Sequence, residues 1–327
     1  MPPILRRRGA RLPGGVPSGP RMIEVRREIR PVWPFRLPGA GGMDGIASVR
    51  GGVWERLVHV EGAPVVVRAG QPSSDRVVVG ARGASAEVCE EAIARVRVAF
   101  GVDESLREFY DRFRDDPWIG PSVRTRPHLR PVRRVEPFEA LAWAICEQLI
   151  EYERAAEIER AIVWRLGRRA PSWDGSRTLR DLPSAAVLAG RAPAELQALG
   201  LAGSRALALV KAAREVASGR CDLRCAAGAE EAGWARLRRI SGIGSWTIAV
   251  LALHGQGRLD ALPAGDLAYM KLIGRAAAGG RPSARATEEE VLEAFAPYEG
   301  WMGLAGLHAL GVKATGGGAA TRFAAAA

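Results

Sequence analysis

Asp266 follows Pro263-Ala264-Gly265 and opens a run, Leu267–Ala277, whose composition predicts a helix. An aspartate there can serve as an ordinary N-cap. Pro263 and Gly265 also shape a stiff turn with little bulk beside the carboxylate, and Lys271 on the following helix is placed to face a ligand or to position the loop. A carboxylate held beside a sugar whose base is leaving can stabilise the oxocarbenium-like charge at C1′ and orient or deprotonate water. That chemistry is glycosidic bond cleavage. Upstream, Trp234–Arg239 can close one helix, Ser241-Gly242-Ile243-Gly244 can turn, and Ser245 can cap the next helix, predicted to reach His254. The glycines let backbone come close to a ligand. Free amides of the turn and of the helix start then face one side, where a phosphate satisfies them and meets the helix dipole favourably. Ile243 is expected to point inward between the helices. Taken alone, Gly-Ile-Gly between helices is more often a plain tight connection, and the flanking Arg236, Arg238 and Arg239 favour the phosphate.

The rest of the chain must position these residues. Its 327 residues, 47% apolar and 25% charged, suffice for two compact domains of a soluble globular protein. A formal charge of +11 favours a polyanionic partner. Only Lys211, Lys271 and Lys313 are lysines, so 47 − 3 = 44 of the basic residues are arginine, and compositional bias accounts for part of the excess. Cys89, Cys146, Cys221 and Cys225 show neither a disulfide framework nor zinc or iron–sulfur spacing, which fits reduced thiols in a cytosol. No apolar stretch reaches membrane-spanning length, and the Arg-rich start lacks the hydrophobic centre of a secretion signal. The expected location is therefore cytoplasmic, associated with the nucleoid.

Short β-branched runs at Val53–Val60, Val65–Val67 and Val77–Val79, separated by turn signals, predict antiparallel hairpins. Ser85 is placed to cap a helix with Val88, Ala92, Val96 and Ala99 on one face. Trp33 and Phe35 are assigned to an edge or loop of this unit. Helical texture follows from Glu104–Arg114 onward, interrupted by a linker, Gly120–Val135, carrying Arg124, Arg126, Arg130, Arg133 and Arg134 without an acid, which reads as a DNA-backbone contact or a solvated connector. Phe138, Leu141, Ala142, Ile145 and Leu149 recur at helical spacing, as do Ala155, Ile158, Ile162 and Leu166. The expected fold class is α+β: a small N-terminal antiparallel sheet with a helix over 22–103, then an all-helical domain over 104–314. Disordered tails are expected at 1–21 and 315–327.

The segment Arg239–Thr247 together with Leu262–Gly274 resembles the helix-hairpin-helix, Gly/Pro-Asp class of DNA glycosylases, and specifically its 3-methyladenine DNA glycosylase II (AlkA-type) branch. Pro137–Ile150, Leu199–Ala206 and Pro297–Met302 agree with it. The resemblance implies Asp266 as the catalytic carboxylate, and a DNA-binding set of Gly242, Ile243, Gly244, Ser245 and Thr247. It places Gln148 and Leu149 where the branch carries an intercalating wedge, which fills the hole left by a flipped base. Core packing is the other reading of Leu149. Trp246 stands where members with lyase activity carry an amine nucleophile, so the resemblance implies a monofunctional enzyme using water. Trp246, Tyr298 and Trp301 are candidates for an aromatic wall against a flipped, positively charged base; for Trp301 a core position is an equal alternative. No acid partner for Asp266 is evident, which suits bases that leave easily. Organic cofactors are not implied, whereas a monovalent cation at the Ile240–Gly244 hairpin carbonyls is.

The expected function is therefore hydrolytic excision of alkylated purines from double-stranded DNA by a monomer. Two alternatives stand: a non-catalytic lesion-binding protein on the same scaffold, or a glycosylase for oxidised or deaminated bases, which would need acid-side contacts in the pocket. Glu147, Glu151 and Glu153 around the wedge, and Val250 where the branch often has an aromatic, depart from the pattern. His59, His128, His254 and His308 are read as surface or core residues.

Overall fold

The computed structural model of the chain describes residues 22–40 and 43–312. Both tails expected to be disordered, 1–21 and 315–327, lie outside the described residues. Five strands, β1 (Ile23–Ile29), β2 (Ala47–Arg50), β3 (Val53–Val60), β4 (Ala63–Ser73) and β5 (Arg76–Gly83), form one antiparallel sheet in the order β1-β5-β4-β3-β2. The valine-rich runs predicted from sequence are its three central strands. Edge strand β1 reads Ile-Glu-Val-Arg-Arg-Glu-Ile and is largely exposed, so it lacks the apolar alternation that marks a strand, though its charges suit an edge that must not recruit another chain. Helix α1 (Ala86–Phe100) covers one face of the sheet. Ser85 caps it, accepting from the Val88 amide, and Val96, Ala92 and Cys89 are buried against Val65, Val77 and Val79.

Helices α2 (Arg107–Phe113), α3 (Gly120–Thr125), α4 (Pro137–Glu147) and α5 (Tyr152–Leu166) follow. A second hairpin, β6 (Arg168–Pro171) with β7 (Thr178–Asp181), interrupts the helices and packs Leu179 on Leu57 and Val66 of the main sheet. That contact explains why β3 is buried on both faces. The remaining elements are α6 (Ala185–Ala189), α7 (Pro193–Gln197), α8 (Gly203–Ala217), α9 (Glu231–Arg238), α10 (Ser245–Gly255), α11 (Leu267–Ala277), α12 (Glu288–Phe295), a 3-10 turn at Ala296–Tyr298, and α13 (Met302–Gly311). The architecture is α+β, as the patterning implied. No helix among the described residues is long and apolar enough to cross a membrane.

Two apolar cores support the helices. Leu141, Ile145, Ile158, Leu209 and Leu251 centre one, shared by α4, α5, α8 and α10. Phe109, Tyr269, Phe295 and Tyr298 centre the other, shared by α2, α11, α12 and α13. The sheet meets α4 through buried charge rather than apolar surface. Arg56 of β3 donates to Glu139 of α4 at 3.0 Å and to Asp181 of β7 at 3.1 Å, with the His59 ring 2.8 Å from the same Asp181. Arg134 joins Glu139 to Asp44, and the Trp143 indole also donates to Asp44. Burial opposes the charge on Arg56, but the flanking carboxylates outweigh it and hold the guanidinium firmly protonated. Removing one member would strand its partners uncompensated in the interior, a far larger cost than the net worth of the pairs.

The basic stretch 120–135 is therefore a strut, not a solvated linker. Gly120–Thr125 is helical, Arg133 is buried against Glu104, and Arg130 donates to the carbonyls of Gly101, Pro34 and Glu104. His308, fully buried, sits between the Ser122 hydroxyl and Tyr110, and burial drives its pKa down to about 3.

Candidate active site

The turn between α9 and α10 has the geometry that its glycines predicted. Gly242 takes φ +92°, a conformation costly for residues with a Cβ. Ile243 is buried between the exposed Gly242 and Gly244, and its side chain is worth about 1.5–3 kcal/mol of burial as the anchor of the turn. Gly244, not Ser245, is the N-cap of α10, and no side chain caps the helix. Ser245 is the exposed first helical residue. The first amides of α10 thus keep free hydrogen-bonding capacity and the positive end of the helix dipole faces outward. A Cβ on Gly244 would meet nothing within 4 Å inside the molecule, so the space beside it is open to a ligand. Thr247 does not reach that surface: it is buried, and its hydroxyl accepts from Gln148.

Gln148 ties two pieces of the site together. Its side-chain amide donates to the Gly242 carbonyl at 2.6 Å and to Thr247 Oγ1 at 2.8 Å. Hence the α4–α5 turn and the hairpin hold a fixed relation. Leu149, next in the chain, is 104% exposed and has φ +55°. Left-handed backbone costs roughly 1–2 kcal/mol for a residue with a side chain, and an apolar group in water gains nothing in return. Its helical stripe therefore ends at Ile145; Leu149 is not core. Arg205 of α8 secures this turn by donating to the carbonyls of Cys146 (2.8 Å) and Gln148 (2.9 Å). Sequence reasoning passed over Arg205, for which only its place inside Leu199–Ala206 offered a signal.

Asp266 caps α11, accepting from the Ala268 amide at 2.8 Å with Oδ1, while Oδ2 accepts from the Trp246 indole at 3.2 Å. It is half-buried, neither walled off nor fully solvated. The indole bond links the aspartate directly to α10, two residues past the Gly244 cap. Close packing of α13 fixes the turn before it. A Cβ on Gly303 would lie 2.4 Å from the Ala261 carbonyl oxygen, and one on Gly306 would lie 2.6 Å from Leu262 Cδ1.

A recess of about 160 Å³ runs between α4 and α10. Val250 and His254 line it from α10, at successive turns after Trp246; Ala140, Trp143, Ala144 and Glu147 line it from α4, with Val132 and Arg134 at its end. The aromatic wall differs from expectation. Trp246 is half-buried beside Asp266, but Tyr298 is fully buried, packed on Phe113 and Phe295 with its hydroxyl donating to Asp116, and no base can reach it. Trp301 caps α13, half-buried, its ring 5.7 Å from Phe109 in the same core. Trp143, assigned no role from sequence, lines the recess.

Of the three acids near Leu149, Glu151 and Glu153 are exposed, whereas Glu147 lines the recess. Burial raises the Glu147 carboxyl above the usual range against the pull of Arg134, and the negative Asp266 adds to the rise. Glu159 of α5, its neighbour, is pushed up to about 8 by burial and then by Glu147.

The hairpin carbonyls are partly engaged. Ile240 accepts from Ile243, Gly244 from Ile248, and Gly242 from Gln148. Gln148 occupies one acceptor direction at Gly242, and no step below passes through a cation at these carbonyls. Among the described residues no group of three or more His, Cys, Asp or Glu is placed to hold a metal ion.

The sheet-plus-helices scaffold, with its glycine hairpin and aspartate-capped helix, is similar in fold to solved DNA glycosylases. The 3-methyladenine DNA-glycosylase from Archaeoglobus fulgidus superposes with a TM-score of 0.72 at 22% identity, covering 87% of this chain and 96% of its own. The apo 8-oxoguanine glycosylase/lyase of Clostridium acetobutylicum gives 0.66 at 16% identity over 88% and 97%. In sequence, the DNA-3-methyladenine glycosylase of Bacillus subtilis is 24% identical over 221 residues, 66% of this chain and 70% of that protein. No protein-family model matches the chain.

Proposed function

We propose that the protein is a monofunctional DNA glycosylase that flips an alkylated purine of the 3-methyladenine type out of duplex DNA and hydrolyses its N-glycosidic bond. One observation carries the reading: the Gln148 amide joins a solvent-exposed leucine to a phosphate-ready hairpin, and Trp246 of that hairpin's helix holds Asp266. Clamp, wedge and carboxylate thus form one connected unit.

Phosphate meets the open amides at Gly244 and the start of α10, where binding needs no side chain. Leu149 enters the stack and fills the space vacated by the base, offsetting part of the unstacking cost. The extruded base takes the recess between α4 and α10, where Trp143 lines the wall; Trp246, half-buried beside Asp266, offers an electron-rich face that attracts an N-alkylated, positively charged ring. As the C1′–N bond breaks, its electron pair leaves with the base and positive charge grows at C1′. Asp266, oriented at both oxygens, stabilises that charge and takes a proton from the attacking water. The resemblance places Trp246 where a lyase would carry its amine, so no Schiff base forms and the strand stays intact.

The test uses duplex oligonucleotides each bearing one methylated, deaminated or oxidised base, with cleavage compared with and without alkali. The expected result is alkali-dependent cleavage at methylated purines, abolished in Asp266→Asn. Nicking without alkali would overturn the monofunctional assignment, and release of no base would overturn the whole reading.

A further inference from the structure

We propose that the outer face of the β6–β7 hairpin, together with the end of α5, is a second DNA-binding surface that takes the backbone of another duplex segment while the first is held at the glycine turn and Leu149. The inference rests on the glycosylase reading above and goes beyond it. Strand alternation sorts the arginines of the hairpin. Arg168 pairs with Asp181 across it, and Asp181 faces inward to Arg56 and His59. The next cross-strand pair, Arg169 opposite Arg180, therefore points the other way. Like charges directly opposite on neighbouring strands repel. The Arg180 guanidinium lies over the Trp164 ring, 3.9 Å from its centroid, and donates to the Trp164 carbonyl at 2.9 Å. Burial and then the Arg169 charge lower the Arg180 pKa. Trp164 is itself 71% exposed near the end of α5, and Arg165 beside it is exposed as well. Arg160 joins Trp164 and Arg180 in lining a groove of about 470 Å³, whose one carboxylate, Asp44, is engaged by Arg134 and the Trp143 indole. Arginine is abundant in this chain, yet the hairpin neutralises it elsewhere: Arg168 has Asp181 and Arg177 has Glu55. Among the described residues no carboxylate forms an ion pair with Arg160, Arg165, Arg169 or Arg180. An anion seated over this face would relieve the crowding.

The place of the face in the fold decides which DNA it meets. Helices α4 and α5 are joined at the Leu149 turn, and their other ends both meet the sheet side of the molecule, through Glu139 with Arg56 and through Trp164 with β7. Twelve residues separate Tyr152 from Trp164, about 18 Å of helix. A duplex resting on the α10 amides with Leu149 in its stack would have to fold back on itself to reach that far end, and a persistence length of about 50 nm forbids so tight a return. The occupant is therefore a separate stretch of DNA. Stacking on Trp164 holds the Arg180 fork planar and aimed, which suits bidentate contact with phosphate oxygens. Contacts of this kind release counterions and carry no sequence information, so any undamaged segment serves. A segment captured here before the first is released lets the protein pass between stretches of DNA without entering free solution.

The test uses the full chain saturated with a duplex that carries an abasic-site analogue, to which a second, undamaged duplex is added at low salt. Analytical ultracentrifugation should count one chain with two duplexes, and energy transfer between dyes on the two duplexes gives the affinity for the second. In the triple variant Arg165→Ser, Arg169→Ser, Arg180→Ser the second duplex should bind at least about tenfold more weakly, with a salt slope smaller by about 0.9 per arginine lost. Single-turnover excision of a methylated purine should stay at the wild-type rate. Arg169→Glu alone replaces the like-charge pair with an ion pair, so it should melt no lower than the wild type and still weaken the second duplex. Absence of a two-duplex complex in the wild type, or its formation equally well by the triple variant, would overturn the second surface and leave the glycosylase reading intact. Equal weakening of both duplexes would place these arginines in the first footprint and overturn it too. A poly-glutamate peptide that binds this face where the second duplex does not would assign it to an acidic protein instead. Two-duplex complexes on a chain that excises no base would sink the glycosylase reading alone, and binding of no duplex at all would sink both.

Discussion

Replacing Leu149 should move stability and activity in opposite directions. The side chain is fully exposed and its backbone sits at φ +55°. In Leu149→Gly the left-handed penalty of about 1–2 kcal/mol disappears, offset by roughly 0.5–1 kcal/mol of extra unfolded-state freedom. The net expectation is a stability equal to the wild type or about 1 kcal/mol higher, read by urea denaturation. On DNA the same leucine would pass from water into a base stack, a transfer worth about 1.5–3 kcal/mol. Losing it makes the flipped state roughly 10- to 100-fold rarer, at a tenfold change per 1.36 kcal/mol. Single-turnover excision should slow by that factor in Leu149→Gly, and comparably in Leu149→Ala, which keeps a Cβ and the strain. Loss of more than 1 kcal/mol of stability in Leu149→Gly, or wild-type excision rates in both variants, would refute the wedge.

Other substitutions probe the remaining parts. Asp266→Asn should keep the fold, because asparagine caps a helix as well as aspartate, while excision drops by about two orders of magnitude or more in a single-turnover assay. Gly244→Ala meets no atom within 4 Å and has ordinary backbone angles, so melting should be unchanged while duplex affinity falls and the salt dependence of binding loses about one phosphate contact. Trp246→Phe removes the indole bond to Asp266 and should slow excision more than it weakens duplex binding, which fluorescence anisotropy would separate. Glu159 binds its proton more tightly folded than unfolded, so it favours the fold at low pH and that contribution drains away as pH rises towards about 8. Glu159→Gln should flatten the decline between about pH 4.5 and 8, with an upper limit of about 5 kcal/mol at ~1.4 kcal/mol per unit; an unchanged pH–stability curve would refute the assignment.

Legibility in the sequence followed physical locality. The hairpin, Ile243 as its anchor and the Asp266 cap were readable because each depends on residues adjacent in the chain, as were Ser85 and its helix. Strands β1 and β2 were missed because one is a charged edge and the other only four residues long. Tyr298 lies in a segment shared with the family, yet its burial is set by Phe113 and Phe295, which sequence order does not place beside it. Glu147 looked like an obstacle to DNA when read along the chain with Glu151 and Glu153. One helical turn decides otherwise, since Glu147 still belongs to α4 and faces inward, whereas Glu151 lies beyond the Leu149 kink. The arginines of 120–135 were misjudged for the same reason: their carboxylate partners, Asp44, Glu104 and Glu139, come partly from distant segments.

Helix α4 is anchored at one end and armed at the other. Glu139, in its first turn, is locked to the sheet by Arg56 and Arg134, while Gln148 and Leu149 project from its far end. Kinking a duplex costs several kcal/mol, and the recoil falls on whatever side chain props the gap. With Leu149 as the proposed wedge, that thrust would travel down a short rigid rod into an abutment of paired charges, and the N-terminal sheet would be the footing against which DNA is levered open even where it never touches a nucleotide.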